Sequence, residues 1–125
     1  MPVTRLKTGI DLIEIERFEA AVRRHGARFL GRVFTQNELA EVGENLPSLA
    51  ARFAGKEAVA KALGTGIGAV AWREIEILRG PLREPALFLH GAARRLSEQQ
   101  ALTTWSISLS HTHTHATAIA VALAE

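Results

Sequence analysis

Residues 52–68 read RFAGKEAVAKALGTGIG, and they predict the element around which the rest of the chain is arranged. Ala, Leu, Lys and Glu dominate the first two-thirds of this stretch, which favours an α-helix. Gly64 is well placed to end the helix, because glycine readily adopts the left-handed conformation found just past a helix C-terminus. The stretch therefore predicts a central helix followed by a glycine-rich loop.

Helical spacing sorts the side chains of this helix into rows, because residues three and four apart share a face. One row consists of small side chains, which let another element approach closely. Its members are Ala54, Ala58 and Ala62. The charged side chains lie in two further rows, Glu57 with Lys61 and Arg52 with Lys56. These four groups could hold a phosphate ester and a divalent metal, and the ordinary alternative is a solvated ion pair between Glu57 and Lys61.

The composition predicts one domain, residues 1–125, with a single core. The chain contains no cysteine, which excludes disulfides, thiolate metal sites and cysteine nucleophiles. It has no apolar run of about 18 residues and no signal peptide, so we expect a cytoplasmic protein that does not bind a membrane. The formal net charge is only +2, so local clusters of charge matter more than the total.

A short strand is predicted from Val3 to Ile10, and it runs into Asp11 at the start of a helix. The buried face of that helix is predicted from the apolar residues Ile15, Phe18 and Val22, which recur at helical spacing. Asp11 and Glu14 have the spacing of a capping box, so one role open to Asp11 is that of a helix cap. The other is metal binding.

The same helix carries arginines at spacings of seven and four, which would place them on one face. They are Arg17, Arg24 and Arg28. The ordinary interpretation is a solvated face, and the functional one is a docking surface for an acidic protein. Neither interleaved aromatic residues nor a helix-turn-helix pattern accompanies them, so we expect no binding to nucleic acid.

The remaining elements are short. Thr35 and Glu38 have capping-box spacing and predict the start of another helix, in which Glu38 is structural. The further predicted elements are a strand at Trp72–Leu78, its hairpin partner at Ala86–Leu89, a helix at Ala92–Gln100 and strands within Trp105–Leu123. This order predicts an α+β fold, with a mostly antiparallel sheet packed on the long central helix.

Alternate positions near the C-terminus are histidines, at His111, His113 and His115. On one strand they would share a face, and a His-x-His pair with a third ligand is a zinc arrangement. Same-face neighbours are about 6.6–6.8 Å apart along a strand. Zinc–nitrogen bonds are only about 2.0–2.1 Å long, so this spacing disfavours a zinc hydrolase without excluding it.

Three segments resemble motifs of the holo-acyl-carrier-protein synthase family, the small stand-alone 4′-phosphopantetheinyl transferases. Residues 52–68 are similar to the signature helix and loop of the family. Gly9-Ile10-Asp11 is similar to its opening motif, and Ser108-Leu109-Ser110-His111 fits its closing motif S-[IL]-[ST]-H. The three segments occur in the order that the family has.

This resemblance implies transfer of the 4′-phosphopantetheine arm of coenzyme A to a serine of an apo-acyl carrier protein. Adenosine 3′,5′-bisphosphate would be released, and the process served would be fatty acid biosynthesis. The resemblance also implies a homotrimer in which each site lies between two subunits. The alternative is a non-catalytic module that binds coenzyme A or the carrier protein.

The resemblance further assigns roles to single residues. Asp11 and Glu57 would bind Mg²⁺, and together with Lys61 they would be the catalytic residues. The residues expected to bind coenzyme A are Arg52, Lys56, Lys61, Gly64, Thr65, Gly66, Gly68 and His111. Arg17 matches the position of a docking arginine in the family, so Arg17, Arg24 and Arg28 are the expected partner-binding residues. Nothing transfers to His113 or His115.

Overall fold

The structure is a computed structural model that describes residues 4–124, so the predicted strand residue Val3 lies outside it. Its elements in chain order are β1 (Arg5–Glu14), α1 (Ile15–Val33), α2 (Gln36–Val42), α3 (Leu46–Leu63), a 3-10 turn (Trp72–Glu74), β2 (Ile75–Arg79), β3 (Pro85–Leu89), α4 (Gly91–Gln99), β4 (Leu102–His111) and β5 (His115–Ala124). This order confirms the predicted α+β class. No helix in the described part of the chain is long and apolar enough to cross a membrane.

The strands form two antiparallel sheets. The larger has the order β1-β5-β4, and the smaller is the predicted hairpin of β2 and β3. Side chains alternate between the two faces of the larger sheet, because successive residues of a strand point to opposite sides. The inner face carries a row of fully buried alanines in β5 and packs against α3. The outer face leaves several large apolar side chains exposed, namely Leu6, Ile10, Leu12 and Ile119.

The close contact between β1 and α3 depends on two small residues. A Cβ atom added to Gly9 would lie 1.8 Å from the carbonyl oxygen of Ala58, so only glycine fits at this crossing. This contact confirms the predicted small-residue row, since Ala54, Ala58 and Ala62 are all buried in the core beneath the sheet. Because Asp11 lies two residues beyond Gly9, it occupies the same face of β1 and is held against α3.

A second part of the core lies between α1 and α3 and is rich in aromatic rings. Phe18 packs edge-on against Phe53 at 5.5 Å between ring centroids, and Phe53 stacks on Trp72 at 4.6 Å. Ile15 and Phe18 are buried and Val22 packs beside them, which confirms the predicted inner face of α1. The helix is interrupted at Gly26, whose φ of 55° and ψ of −136° are not helical.

Several predicted boundaries are confirmed and others are wrong. Thr35 and Glu38 form the predicted capping box, and Gly64 ends α3 with a left-handed φ of 87°. The proposed cap at Asp11 is wrong, because β1 runs on to Glu14 and α1 begins without a side-chain cap. The strand predicted from Trp72 begins only at Ile75, since residues 72–74 form the 3-10 turn.

Candidate functional site

The crossing of β1 and α3 brings two of the predicted site residues into contact. The Lys61 Nζ atom lies 3.1 Å from Oδ1 of Asp11 and donates a hydrogen bond of 2.9 Å to the carbonyl oxygen of Ile10. The Asp11 side chain is 15% exposed, whereas that of Lys61 is 50% exposed. The lysine therefore neutralises one buried carboxylate and remains accessible to an anion from solution.

Glu57 is the third member of this cluster and lies one helical turn before Lys61. Burial raises the pKa of the Glu57 carboxyl above its ordinary value, and the negative charge of Asp11 raises it further, while Lys61 opposes both effects. The other carboxylate oxygen of Asp11, Oδ2, is buried and has no hydrogen-bond partner among the described residues. Two carboxylates, one of them with an orphaned oxygen, share a single cation, and this arrangement suits a divalent metal.

Asp11 and Glu57 would offer a metal carboxylate oxygens only. Mg²⁺ is typically held by one or two carboxylates, with waters and substrate phosphates as its other ligands. No cluster of three or more His, Asp or Glu side chains suited to a metal occurs among residues 4–124. A metal bound by Asp11 and Glu57 would therefore keep open positions for substrate oxygens and water.

The three C-terminal histidines do not share a strand face, so that expectation is wrong. β4 ends at His111 and β5 begins at His115, with His113 in the turn between them. The hydroxyl of Thr112 accepts hydrogen bonds from the amides of Thr114 and His115, which stabilises this turn. The reversal of the chain removes the His-x-His geometry on which the zinc alternative depended.

A second charged cluster surrounds a cavity of about 210 Å³ between α3 and the β2–β3 hairpin. Its charged and hydrogen-bonding lining residues are Ser48, Arg52, Arg79, Arg83 and His111. Arg52 and His111 were both predicted to bind coenzyme A, and the structure brings them together here. Ser48, Arg79 and Arg83 were not predicted from the sequence. The signal available for the two arginines was their position between the predicted hairpin strands, which end at Leu78 and resume at Ala86.

The position of Arg52 in this cavity is fixed by Glu41. The Nη2 atom of Arg52 lies 2.6 Å from Oε2 of Glu41, whose carboxylate also accepts hydrogen bonds of 3.0 and 3.1 Å from the Arg79 amide. Burial raises the pKa of Glu41, but the Arg79 amide and Arg52 outweigh it and hold that pKa below its usual value. Arg52 is 5% exposed, and its Nη1 atom is buried without a partner among the described residues. The cavity therefore contains an unsatisfied cationic donor.

Lys56, which was predicted to bind coenzyme A, lies inside the core. Its side chain is fully buried, and Nζ lies 2.8 Å from Oε1 of Glu38. Nζ also donates to the carbonyl oxygens of Trp72, at 3.1 Å, and Ile75. Burial lowers the pKa of Lys56, and the Glu38 carboxylate opposes this shift. Lys56 therefore ties α3 to α2 and β2 inside the core, and the structural role predicted for Glu38 is confirmed.

The backbone amides of the glycine loop are not free donors. The Gly64 amide bonds to the carbonyl oxygen of Lys61, and those of Thr65 and Gly66 bond to that of Ala60, at 3.0–3.3 Å. The Gly68 amide bonds to the carbonyl oxygen of Val70 at 3.0 Å. These four amides therefore have partners within the chain, and the expectation that the four residues bind coenzyme A stays a prediction. The loop closes the C-terminus of α3 beside Lys61.

The expected docking arginines are all exposed, but they do not form one straight row. Arg17 and Arg24 precede the break at Gly26, and Arg28 follows it. None of the three arginines forms an ion pair within residues 4–124. Arg17 lines a largely apolar cavity of about 450 Å³ with residues that include Phe18 and Phe53. The surface of α1 thus offers unpaired cations on two helical segments.

Comparisons with known proteins agree with one another. The sequence model of the 4′-phosphopantetheinyl transferase superfamily matches residues 7–122. The holo-[acyl-carrier-protein] synthase of Herpetosiphon aurantiacus is 48% identical over 111 residues, covering 83% of this chain and 87% of that protein. The crystal structure of the Neisseria meningitidis holo-[acyl-carrier-protein] synthase has a TM-score of 0.85 at 38% identity, covering 93% of this chain and 96% of that one. The Helicobacter pylori holo-[acyl-carrier-protein] synthase, in complex with coenzyme A, has a TM-score of 0.85 at 32% identity, covering 92% and 98%.

Proposed function

Because this chain belongs to the 4′-phosphopantetheinyl transferase superfamily, we propose that it transfers the 4′-phosphopantetheine group of coenzyme A to a serine of an apo-acyl carrier protein. The serine hydroxyl attacks the phosphorus joined to pantetheine, and adenosine 3′,5′-bisphosphate leaves. Such a step needs positioning and neutralisation of phosphoryl charge more than it needs a covalent intermediate. The observation that carries the proposal is the cluster of Asp11, Glu57 and Lys61 at the crossing of β1 and α3.

Asp11 and Glu57 are the residues that would hold Mg²⁺. Bound there, the ion would neutralise charge on the phosphoryl oxygens during transfer. The orphaned Oδ2 atom of Asp11 and the raised pKa of Glu57 both support this assignment, because a cation would satisfy the first and stabilise the charged form of the second. Lys61 fixes the position of Asp11 through its contact with Oδ1.

Two proton transfers are assigned to residues of the same cluster. Lys61 is half exposed and has one donor beyond the two used for Asp11 and Ile10, so it can bind the pyrophosphate and protonate the leaving oxygen. Glu57 is the carboxylate of the cluster that could accept the proton of the attacking serine, because it lies beside the proposed position of the phosphoryl group.

The cavity around Arg52 supplies a second anion subsite. Coenzyme A carries a phosphate monoester on its ribose in addition to the pyrophosphate. Arg52 and His111 would bind the nucleotide part of coenzyme A at this cavity, and the unsatisfied Nη1 atom of Arg52 supports such a role. Lys56 and the loop amides already have partners within the chain, so this proposal does not depend on them.

The two subsites lie on different sides of α3, which supports the proposed homotrimer. Arg52 and Glu57 are five residues apart and therefore differ by about 140° around the helix. Asp11 lies in β1 and His111 in β4, and β5 separates these strands. One coenzyme molecule would then meet Asp11 of one copy and Arg52 of the next. The exposed apolar outer face of the sheet is the surface that a neighbouring copy would cover.

The exposed arginines of α1 are the proposed dock for the carrier protein. Arg17, Arg24 and Arg28 have no carboxylate partner in the described chain, so they can meet an acidic protein without first breaking an ion pair. We also propose that the protein acts in the cytoplasm, which is consistent with its lack of cysteine.

The proposed activity is tested directly by mass spectrometry of the carrier. The purified protein is incubated with apo-acyl carrier protein, coenzyme A and MgCl₂, and a parallel sample contains EDTA. A gain of one phosphopantetheine on the carrier with MgCl₂, and none with EDTA, is the expected result. Binding of coenzyme A without any mass gain would favour the alternative of a non-catalytic binding module.

A further inference from the structure

Both peptide groups that flank the side chain of Asp11 are held by side chains from other elements. Lys61 of α3 donates to the carbonyl oxygen of Ile10 at 2.9 Å, and the hydroxyl of Thr117 in β5 donates to the carbonyl oxygen of Asp11 at 2.8 Å. Successive carbonyl groups of a strand point to opposite sides, and in the described sheet β1 has a neighbouring strand only on the side of β5. Lys61 therefore reaches the open edge of β1, whereas Thr117 holds the side that faces the sheet.

The hydroxyl of Thr117 lies in an otherwise apolar row of β5. Alternate residues of this strand point to the outer face of the sheet, and the three that follow Thr117 in its row are Ile119, Val121 and Leu123. Valine has nearly the same shape as threonine and is also enriched in strands, so packing alone does not require a hydroxyl at this position. The contact with Asp11, which is 106 residues away in the sequence, gives the hydroxyl a partner.

We propose that Thr117 is a positioning residue that directs the Asp11 carboxylate towards Glu57, so that the two carboxylates can share one Mg²⁺. This proposal rests on the proposed function, in which Asp11 and Glu57 hold the ion. The Asp11 side chain is only 15% exposed and its Oδ2 atom has no partner among the described residues, so the protein rather than water sets its direction. Holding the peptide group that follows Asp11 limits the direction of its Cα–Cβ bond, and with it the separation of the two carboxylates.

Thr117 can hold Asp11 throughout the reaction, whereas the contacts of Lys61 change. When Lys61 gives a proton to the leaving oxygen, as the proposed function requires, it loses the charge that attracts it to Asp11. Thr117 is assigned no contact with either substrate, and its single hydroxyl proton is donated to the Asp11 carbonyl oxygen. Asp11 therefore keeps one fixed point while Lys61 reacts.

The test compares the parent with Thr117→Val, which replaces the hydroxyl by a methyl group, and with Thr117→Ser, which keeps the hydroxyl. Titration with Mn²⁺ alone, followed by electron paramagnetic resonance of the free ion, measures the Kd for a divalent metal without any reaction. Thr117→Val should bind Mn²⁺ about 3–10-fold more weakly, the loss expected for one hydrogen bond, and Thr117→Ser should bind it like the parent. In Thr117→Val, the Mg²⁺ concentration that gives half-maximal transfer should rise by the same factor. Its Michaelis constants for coenzyme A and carrier protein at saturating Mg²⁺ should not change.

Two further variants control for the position and for the size of the side chain. Thr104→Val makes the same chemical change at an exposed position of β4 that pairs with Leu123, at the other end of β5. It should leave the Kd for Mn²⁺ unchanged. Thr117→Ala removes the hydroxyl with a smaller side chain and should weaken Mn²⁺ binding as Thr117→Val does. Thermal unfolding in EDTA and light scattering check that both Thr117 variants keep the stability and the mass of the parent.

The outcomes separate this proposal from the proposed function. An unchanged Kd for Mn²⁺ in Thr117→Val and Thr117→Ala would overturn the role of Thr117, even if the parent transfers phosphopantetheine. An equal loss in Thr117→Ser and Thr117→Val would also overturn it, since the position would then act through packing rather than through its hydroxyl. A loss confined to the variants without the hydroxyl, in a protein that fails to modify any carrier, would instead overturn the proposed transfer and leave the role of Thr117 standing.

Discussion

Replacing Glu57 by glutamine should make the protein more stable and less active. The carboxylate of Glu57 is partly buried and lies near that of Asp11, and both facts raise its pKa. The amide of glutamine has nearly the same shape but carries no charge, so it removes both the desolvation of a charged group and its repulsion with Asp11. The same change removes one of the two carboxylates proposed to bind Mg²⁺.

The expected gain is small, because Glu57 is partly exposed and water screens its interaction with Asp11. Exposed charge pairs contribute about 0.2–1 kcal/mol, so we expect the free energy of unfolding to rise by about 0.5–1 kcal/mol at pH 7. For a chain of 125 residues this corresponds to a rise in Tm of about 2–5 °C. Activity should fall by about 100-fold or more if Glu57 binds the metal and accepts the serine proton.

The direction of the Glu57 pKa shift predicts how the stability difference between Glu57→Gln and the parent changes with pH. A carboxyl group whose pKa is raised on folding contributes stability that is fully present below its unfolded pKa of about 4.5. That stability is lost as the pH rises through the higher folded pKa. The Tm difference between Glu57→Gln and the parent should therefore be small near pH 4 and should grow towards pH 7.

Thermal unfolding at matched protein concentration, in EDTA and then in MgCl₂, measures these effects. The metal should raise the Tm of the parent and have little effect on Glu57→Gln, because a ligand stabilises only a state that binds it. Glu44→Gln removes an exposed carboxylate outside the cluster and is the control for net charge. A Glu57→Gln protein that is less stable than the parent in EDTA at pH 7 would refute the repulsion argument.

Three further changes test other parts of the molecule. Lys56→Met should lower the free energy of unfolding by about 3–5 kcal/mol, because it leaves Glu38 as an unpaired buried charge. Urea unfolding measures this loss. A variant as stable as the parent but with a raised Michaelis constant for coenzyme A would instead show that Lys56 binds coenzyme A. Leu6→Glu, on the exposed apolar face, should shift the mass found by light scattering from trimer to monomer, and an unchanged mass would place the interface elsewhere. Arg24→Glu should raise the Michaelis constant for carrier protein and weaken its dependence on salt, with that for coenzyme A unchanged. Equal Michaelis constants for the variant and the parent would show that Arg24 lies on an ordinary solvated face.

The parts of the fold that could be predicted from sequence are those set by local chemistry. The capping box of Thr35 and Glu38, the end of α3 at Gly64 and the buried face of α1 each depend on residues close together in the chain. The small-residue row on α3 was also predictable from spacing. Its partner, Gly9, was not identified as the point of contact, because the crossing joins segments far apart in sequence.

Lys56 and the amides of the glycine loop are engaged within the chain for one physical reason. Whether a cation faces solvent or the core is decided by packing between distant segments. Lys56 is separated from Trp72 and Ile75 by 16 and 19 residues, and their carbonyl oxygens, together with Glu38, satisfy it inside the core. The loop amides after Gly64 are used in the same way, by carbonyl oxygens of the helix end that they close. Spacing alone could not show that these donors were already engaged.

The central helix supports the proposal that the site is shared between copies of the chain. Residues of one helix that bind a small ligand together should lie on one face, yet Arg52 and Glu57 point about 140° apart. The helix backbone sets these two directions, and the ion pair with Glu41 also holds Arg52 in place. A long ligand with two separate anionic groups resolves this conflict if it bridges neighbouring copies. One subunit would then bind the phosphate monoester and the neighbouring subunit the pyrophosphate. A monomer would bind neither group at full affinity.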